Sequence, residues 1–222
     1  MSELLEQIAT CIERGKVNAN SPYPPDMKGQ EGADELVKKA VDEGVAPEDI
    51  LNEALIKGMG AIGKKFSANQ VFVPDVLMAA KSMQAAMAHL RPFFESGQAK
   101  HKGTFVIGTV QGDLHDIGKN LVAMVMEGGG FKVVDLGVDV APEKFVEAVK
   151  ANPDACVGLS ALLTTTMVNM EKTVAQIKET SPDTKVVVGG APLTQEFADK
   201  IGADSYSPDP QGALDYLTSA VS

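Results

Sequence analysis

One histidine, His115, lies between two aspartates in the segment QGDLHDIGKN, residues 111–120. An imidazole is a good transition-metal ligand, and Asp113 is placed to accept a hydrogen bond from the ring nitrogen that does not bind the metal. Gly112 and Gly118 leave room for a bulky group to approach the backbone. These residues predict a metal ligand with a carboxylate partner, and they also fit a capped loop that binds nothing.

A hydrolytic metal site is a second interpretation, because His115-Asp116 imitates a paired metal-binding dipeptide. Such a site needs further histidines nearby, and the sequence holds only His89 and His101 besides His115. Both fall within the helical half or the linker after it, so this interpretation has little support. A flavodoxin-like or phospho-acceptor domain fits the predicted fold, but its site does not require this histidine.

Five β-rich runs alternate with helical stretches after residue 103. The runs are residues 104–110, 132–135, 155–159, 185–189 and 203–206, and the helices lie near residues 118–129, 142–151, 165–180, 193–200 and 210–220. This alternation predicts an α/β domain with a five-stranded parallel sheet, Rossmann-like and of the flavodoxin-like type. Ligands of such sheets bind beyond the carboxyl ends of the strands, so the loops after the first, third and fourth strands are the candidate sites.

The residues before this domain have a helical period. Apolar residues recur three and four positions apart in four stretches, which predicts a four-helix bundle cap over residues 1–95. Residues 15–30 contain three prolines and are predicted to be loop. The polar residues 96–103 are predicted to be a linker, and residues 104–222 the Rossmann-like domain.

The loops after the third and fourth strands differ in chemistry from the first. Residues 160–167, SALLTTTM, offer four hydroxyls around a pair of leucines, whereas helix capping needs only one hydroxyl. Gly189 and Gly190 remove side chains where a ligand must pass close to the backbone. Together the three loops predict a deep slot with a histidine at its mouth, suited to a long tail below a large flat ring.

Composition restricts the function classes further. The formal net charge of −10 argues against a nucleic-acid partner, which requires clustered Lys and Arg. Two cysteines, Cys11 and Cys156, are too few for a thiolate metal cluster. No apolar run reaches membrane-spanning length, and the acidic N-terminal segment is unlike a signal peptide. A cytoplasmic location without membrane partners is therefore expected.

These motifs together resemble a known family. The pattern Asp113-x-His115-x-x-Gly118, followed by Ser160-x-Leu162 and Gly189-Gly190, resembles the signature of cobalamin-binding domains. The segments GMGAIGKKF (residues 58–66) and VFVPDVL (residues 71–77) resemble the helical cap of these proteins. The similarity is strongest to corrinoid proteins of methyltransferase systems and to the B12-binding module of methionine synthase.

The resemblance implies a cobalamin or related corrinoid cofactor with His115 as the lower axial ligand of cobalt. Its nucleotide tail would enter the slot, Thr166 would extend the hydrogen-bond relay from Asp113, and Phe66 and Val73 would shield the upper face. The implied cofactor-binding residues are Gly112, Asp113, Leu114, His115, Ile117, Gly118, Ser160, Leu162, Thr164, Thr166, Gly189, Gly190, Phe66 and Val73.

The same resemblance implies a methyl carrier that is not itself a catalyst. It would accept a methyl group on cobalt(I) from a substrate-specific methyltransferase and deliver it from methyl-cobalt(III) to a second methyltransferase, with tetrahydrofolate or a thiol as acceptor. A reductive activase is a further implied partner. The alternatives are a cobalamin-dependent sensor, which needs a DNA-binding segment that the sequence lacks, and the small subunit of an adenosylcobalamin mutase, which generally lacks the cap.

Overall fold

The polypeptide divides between residues 101 and 102 into two units of different architecture, with residues 128–130 grouped with the first unit. The computed structural model describes residues 3–97 and 99–221. Gln98, in the predicted linker, lies outside the described residues, as do Met1, Ser2 and Ser222.

Helices make up most of the first unit, as their apolar periodicity predicts. They are α1 (Glu3–Arg14), α2 (Ala33–Asp42), α3 (Pro47–Asp49), α4 (Lys57–Ser67) and α5 (Val73–Glu95), with a π-helical segment Ile50–Ile56 between α3 and α4. α1 buries Leu5, Ile8 and Ile12 on one face, and acidic residues in its first turn favour the helix dipole. The Pro-rich residues 15–30 form a loop with one short 3₁₀ turn at Pro25–Met27.

The second unit contains the parallel sheet. Its strands are β1 (Thr104–Thr109), β2 (Lys132–Asp135), β3 (Cys156–Ser160), β4 (Val186–Gly189) and β5 (Ser205–Tyr206), and its helices are α6 (Ile117–Gly128), α7 (Pro142–Ala151), α8 (Met167–Thr180), α9 (Gln195–Ile201) and α10 (Pro210–Ala220). The strand order is β2-β1-β3-β4-β5, with every pair parallel. The prediction of helices followed by a five-stranded parallel sheet is therefore confirmed.

Different helices cover the two faces of this sheet. One apolar core joins Val157, Leu159, Val186 and Val188 of the central strands to side chains of α7, α8 and α9. Side chains alternate along a strand, so Ser160 at the end of β3 and Gly189 at the end of β4 belong to the opposite face.

The helix α10 packs on that opposite face. Leu214 and Leu217 of α10 are buried, yet neither belongs to the core formed with α7, α8 and α9. Tyr216 of α10 interacts electrostatically with Cys156, whose neighbour Val157 points into that core. The amino end of β3 thus lies close to Tyr216, in the second half of α10.

Candidate functional site

The loop after β1 is held in place from both sides. Gly112 has a φ of 86°, in the left-handed region that favours glycine, and its N–H donates to Asp139 Oδ1 at 2.7 Å. The Asp139 N–H donates in turn to the Asp113 carbonyl oxygen at 2.9 Å. The Thr109 hydroxyl donates to the carbonyl oxygen of His115 at 2.8 Å. These bonds fix the backbone that carries His115.

The side chain of Asp113 is fully buried and accepts hydrogen bonds from two loops. Its Oδ1 accepts the backbone N–H of His115 at 3.1 Å and lies 2.7 Å from Nδ1 of the same residue. Its Oδ2 accepts the backbone N–H groups of Leu162 at 2.8 Å and Leu163 at 3.1 Å. The hydroxyl of Thr166 also lies 2.8 Å from Oδ2. One carboxylate thus joins the β1 loop to the β3 loop.

These contacts determine the charge of Asp113 and the tautomer of His115. Burial alone would raise the pKa of the Asp113 carboxyl, but hydrogen bonds from His115, Leu162 and Thr166 outweigh it and hold the pKa well below its ordinary value. The carboxylate is therefore ionised at neutral pH and can only accept hydrogen bonds. Nδ1 of His115 must then carry the proton that it donates, which leaves the lone pair of the neutral ring on Nε2.

The histidine is well placed to bind a metal through Nε2, but it has little help from other residues. Its side chain is 49 % exposed, so the ring is accessible from solvent. Within residues 3–97 and 99–221, no three His, Cys, Asp or Glu side chains are grouped as a metal site would require. One protein ligand does not make a metal site, so a metal at His115 must arrive with ligands of its own.

Exposed apolar side chains lie next to the histidine in the sequence and in the β3 loop that Asp113 contacts. Leu114 is 71 % exposed and Ile117 75 % exposed. Leu162 and Leu163, whose N–H groups bind Asp113, are exposed by 43 % and 42 %. Isolated exposed leucines are common, but a group of them in two joined loops indicates a binding surface. A half-exposed imidazole among exposed aliphatic groups fits a flat, largely apolar ring that carries a metal, and so the residues fit a corrinoid.

The β3 and β4 loops approach each other closely. Gly190 has a φ of 140°, and a Cβ atom built there would lie 1.8 Å from the Ala161 carbonyl oxygen, so only glycine fits. Ser160 and Gly189 are partners in the β3–β4 register. Thr164 is exposed and begins the short turn Thr164–Thr166 before α8. The hydroxyl of Thr166 is buried against Asp113, the contact that the family resemblance implied.

The comparisons with known proteins agree with this geometry. Residues 103–214 match a family model described as B12 binding domain, and residues 29–91 match a second model with the same description. Trimethylamine corrinoid protein 2 of Methanosarcina mazei is 42 % identical over 86 % of this chain and 90 % of its own length. The chain belongs to the B12-binding corrinoid proteins of methyltransferase systems.

Two solved structures resemble this corrinoid protein over nearly its whole length. A cobalamin-binding protein from Desulfitobacterium hafniense has a TM-score of 0.76 and 29 % identity, covering 98 % of both chains. A methanol:cobalamin methyltransferase complex from Methanosarcina barkeri has a TM-score of 0.81 and 28 % identity, covering 99 % of this chain and 80 % of that one. The prediction of a cobalamin or related corrinoid cofactor is confirmed, and so is the coarser prediction of a methyl carrier that works with a methyltransferase. No helix among the described residues is both long and apolar enough to span a membrane.

The predicted cap residues lie in the first unit of the corrinoid protein. Phe66 is in the last turn of α4, Val73 is the first residue of α5, and both are half-buried. Between them, Phe72 is 71 % exposed. Asp75 fixes this segment, because its carboxylate accepts the Phe72 N–H at 2.8 Å and the Tyr23 hydroxyl at 2.8 Å. The otherwise unassigned loop of residues 15–30 thus contacts the start of α5.

Two residues of the site were not identified from the sequence. Lys119, directly after Gly118, has a side chain only 2 % exposed, and its ammonium forms an ion pair with Asp135 and donates to Asn120 Oδ1 at 2.6 Å. Asp139, in the loop after β2, accepts a hydrogen bond from the N–H of Gly112 in the loop after β1. Neither gives a local signal, because a lysine or aspartate is ordinarily solvated and these contacts exist only once β2 pairs with β1.

Proposed function

We propose that this corrinoid protein holds cobalamin or a related corrinoid with His115 as the lower axial ligand of cobalt. The observation that carries the proposal is the Asp113–His115 pair, in which a buried carboxylate directs the imidazole proton to Nδ1 and leaves Nε2 as the basic nitrogen. Hydrogen bonding to an ionised carboxylate also makes the ring a stronger ligand. The hydroxyl of Thr166 lies 2.8 Å from both Asp113 Oδ2 and the Leu163 carbonyl oxygen, and it would extend this relay by donating its one proton to the charged acceptor.

The remaining residues of the site would hold and protect the cofactor. The exposed side chains of Leu114, Ile117 and Leu162 would cover apolar parts of the ring and exclude water from around His115. Gly112 and Gly118 would let the ring approach the backbone. The nucleotide tail would occupy the space next to Ser160, Thr164, Gly189 and Gly190, and Phe66 and Val73 would shield the upper face of cobalt.

The cofactor supplies a cobalt centre that accepts and donates methyl groups, and the protein supplies its orientation and ligand. We propose that a substrate-specific methyltransferase loads the methyl group and that a second methyltransferase removes it to tetrahydrofolate or a thiol. A reductive activase would restore cofactor that has become oxidised. Several relatives are named trimethylamine or dimethylamine corrinoid proteins, at 41–44 % identity, so a methylated amine is the donor class that we propose.

Isotope labelling tests the cobalt ligand directly. Protein labelled uniformly with nitrogen-15 is loaded with unlabelled cobalamin, and the electron paramagnetic resonance of cobalt(II) is recorded. A protein imidazole on cobalt splits each line into two, whereas the cofactor's own nitrogen-14 base splits it into three. We expect doublets in the labelled wild-type protein. Triplets in that sample would refute His115 as the ligand.

Substitutions assign the ligand to one residue. His115→Ala should lose the doublets, and its apo protein should stay folded but with a lower melting temperature, because the buried Asp113 carboxylate loses the Nδ1 hydrogen bond and keeps its donors at Oδ2. His89→Ala is the matched control, since His89 also pairs with a carboxylate, its Nε2 lying 2.6 Å from Asp34 Oδ1. That variant should keep the doublets. Doublets in His115→Ala would contradict the assignment.

A further inference from the structure

Gln211, at the start of α10, holds a polar atom that the described residues leave without a partner. The residue is 6 % exposed, and its Nε2 donates to Asp215 Oδ1 at 2.7 Å. Its Oε1 is buried and has no hydrogen-bond partner within residues 3–97 and 99–221. An ionised carboxylate only accepts hydrogen bonds, so the amide nitrogen must face Asp215 and the oxygen is the unpaired atom. Buried polar atoms are almost always paired, so this acceptor calls for a donor.

The position of Gln211 is fixed by the ends of β4 and β5. The backbone N–H of Ser207 donates to the Val188 carbonyl oxygen at 3.0 Å, and the Ser207 hydroxyl donates to the Asp209 carbonyl oxygen at 2.6 Å. Asp209 caps α10 by accepting the Gln211 N–H at 2.9 Å. The Ser207 carbonyl oxygen is the nearest atom, at 3.2 Å, to a Cβ built on Gly189. The first turn of α10, which contains Gln211, is therefore linked through Ser207 and Asp209 to the end of β4.

Other polar features lie on the same face of the sheet. Ser160 is paired in register with Gly189, and both face the side on which α10 packs. Ser160 is half-buried and carries a hydroxyl, and Gly189 presents no side chain. Near the end of β4 there are thus a serine hydroxyl, a bare backbone and an unpaired amide oxygen.

We propose that Gln211 binds the nucleotide tail of the corrinoid by accepting a hydrogen bond at Oε1. This inference rests on the proposed function, in which the tail lies beside Ser160 and Gly189. The phosphodiester of the tail is an anion that only accepts hydrogen bonds, so it is excluded as the partner. The ribose hydroxyls are donors, and they belong to the nucleotide part of the cofactor. Gln211 thereby discriminates complete corrinoids from those that lack the nucleotide.

The test compares aquacobalamin with diaquacobinamide, which lacks the ribose, phosphate and base. Apo protein is titrated with each corrinoid, and the dissociation constant is obtained from the absorbance change. Gln211→Met keeps the length of the side chain and removes the acceptor. We expect its dissociation constant for cobalamin to rise by roughly tenfold, the effect of one hydrogen bond, and that for cobinamide to stay within about twofold of wild type.

A matched control is available on α9. Gln195 donates through Nε2 to Asp199 Oδ1 at 2.8 Å, four residues later, just as Gln211 does to Asp215, but Gln195 is exposed. Gln195→Met should change neither dissociation constant. If Gln211→Met fails to fold, as judged by its circular dichroism spectrum, Gln211→Leu replaces it.

Two outcomes would overturn the inference alone. An unchanged affinity of Gln211→Met for cobalamin would mean that water satisfies Oε1. An equal loss for cobalamin and cobinamide would mean that the substitution disturbs the fold and not a contact with the nucleotide. A wild-type protein that binds neither corrinoid would instead overturn the proposed function together with this inference.

Discussion

Replacing Asp113 by asparagine should alter both the stability of the apo protein and the tautomer of His115. The amide offers one acceptor oxygen where the carboxylate offers two. If its NH₂ group faced Leu162 and Leu163, it would oppose two backbone N–H donors. It should therefore face His115, where Nδ1 can accept a hydrogen bond if the ring proton moves to Nε2.

The magnitude follows from the five contacts of the carboxylate. Hydrogen bonds to a charged group contribute about 1.5–3 kcal/mol and neutral ones about 0.5–1.5 kcal/mol, so the three bonds at Oδ2 each lose about 1 kcal/mol. The backbone N–H of His115 loses its acceptor altogether. Part of this loss is offset because a neutral amide is easier to bury than a charge. We expect the free energy of unfolding to fall by about 3 kcal/mol.

Urea unfolding of the apo protein, followed by circular dichroism, measures this loss. Asp116→Asn is the control in the same loop. The Asp116 side chain is exposed and accepts from the Asn120 side chain at 3.1 Å, so its replacement should change the free energy of unfolding by less than about 0.5 kcal/mol. Nitrogen-15 NMR of the imidazole reports the tautomer. A loss below about 1 kcal/mol in Asp113→Asn, with the proton still on Nδ1, would refute the described role of the carboxylate.

Two further predictions concern other buried side chains. Thr166→Val should reduce the free energy of unfolding by about 2 kcal/mol, because the hydrogen bond to Asp113 is lost. Thr166→Ser keeps the hydroxyl and should reduce it by about 1 kcal/mol, because a methyl group is lost. A valine variant that is as stable as wild type in urea would contradict this. Cys11 and Cys156 are both buried, and burial raises the pKa of Cys11 to about 11. At pH 8, Cys11 should therefore react with iodoacetamide at least about 100-fold more slowly in the folded protein than in urea. Mass spectrometry measures this labelling. Rapid labelling of the folded protein would contradict the burial of the Cys11 thiol.

The sequence was sufficient to predict the sheet and the position of its loops. Period-two and apolar runs identify strands directly, and the His115 loop follows the first of them. The fifth strand, predicted over residues 203–206, is reduced to Ser205–Tyr206 because it lies at the edge, where only β4 pairs with it. The π-helical segment Ile50–Ile56 was not predicted, since its apolar spacing is also compatible with an α-helix.

The contacts of the site were less accessible to sequence reasoning. Asp113 was identified as a partner of His115 from its spacing of two residues. Its second role, binding the N–H groups of Leu162 and Leu163, depends on how two loops meet in space. The burial of Lys119 and the unpaired oxygen of Gln211 likewise arise from tertiary packing, because neither residue type indicates burial in a single sequence.

The bridge formed by Asp113 has a consequence for how the site comes into being. The amides that hold the carboxylate come from Leu162 and Leu163, 49 and 50 residues later in the chain. A peptide that copied residues 111–120 would carry the complete motif and still leave its imidazole free to exchange between tautomers. Transplanting the motif into another scaffold would transfer the histidine without its chemistry. During synthesis, the carboxylate can gain its Leu162 and Leu163 donors only after β3 has docked beside β1, so the fixed tautomer of His115 depends on that step.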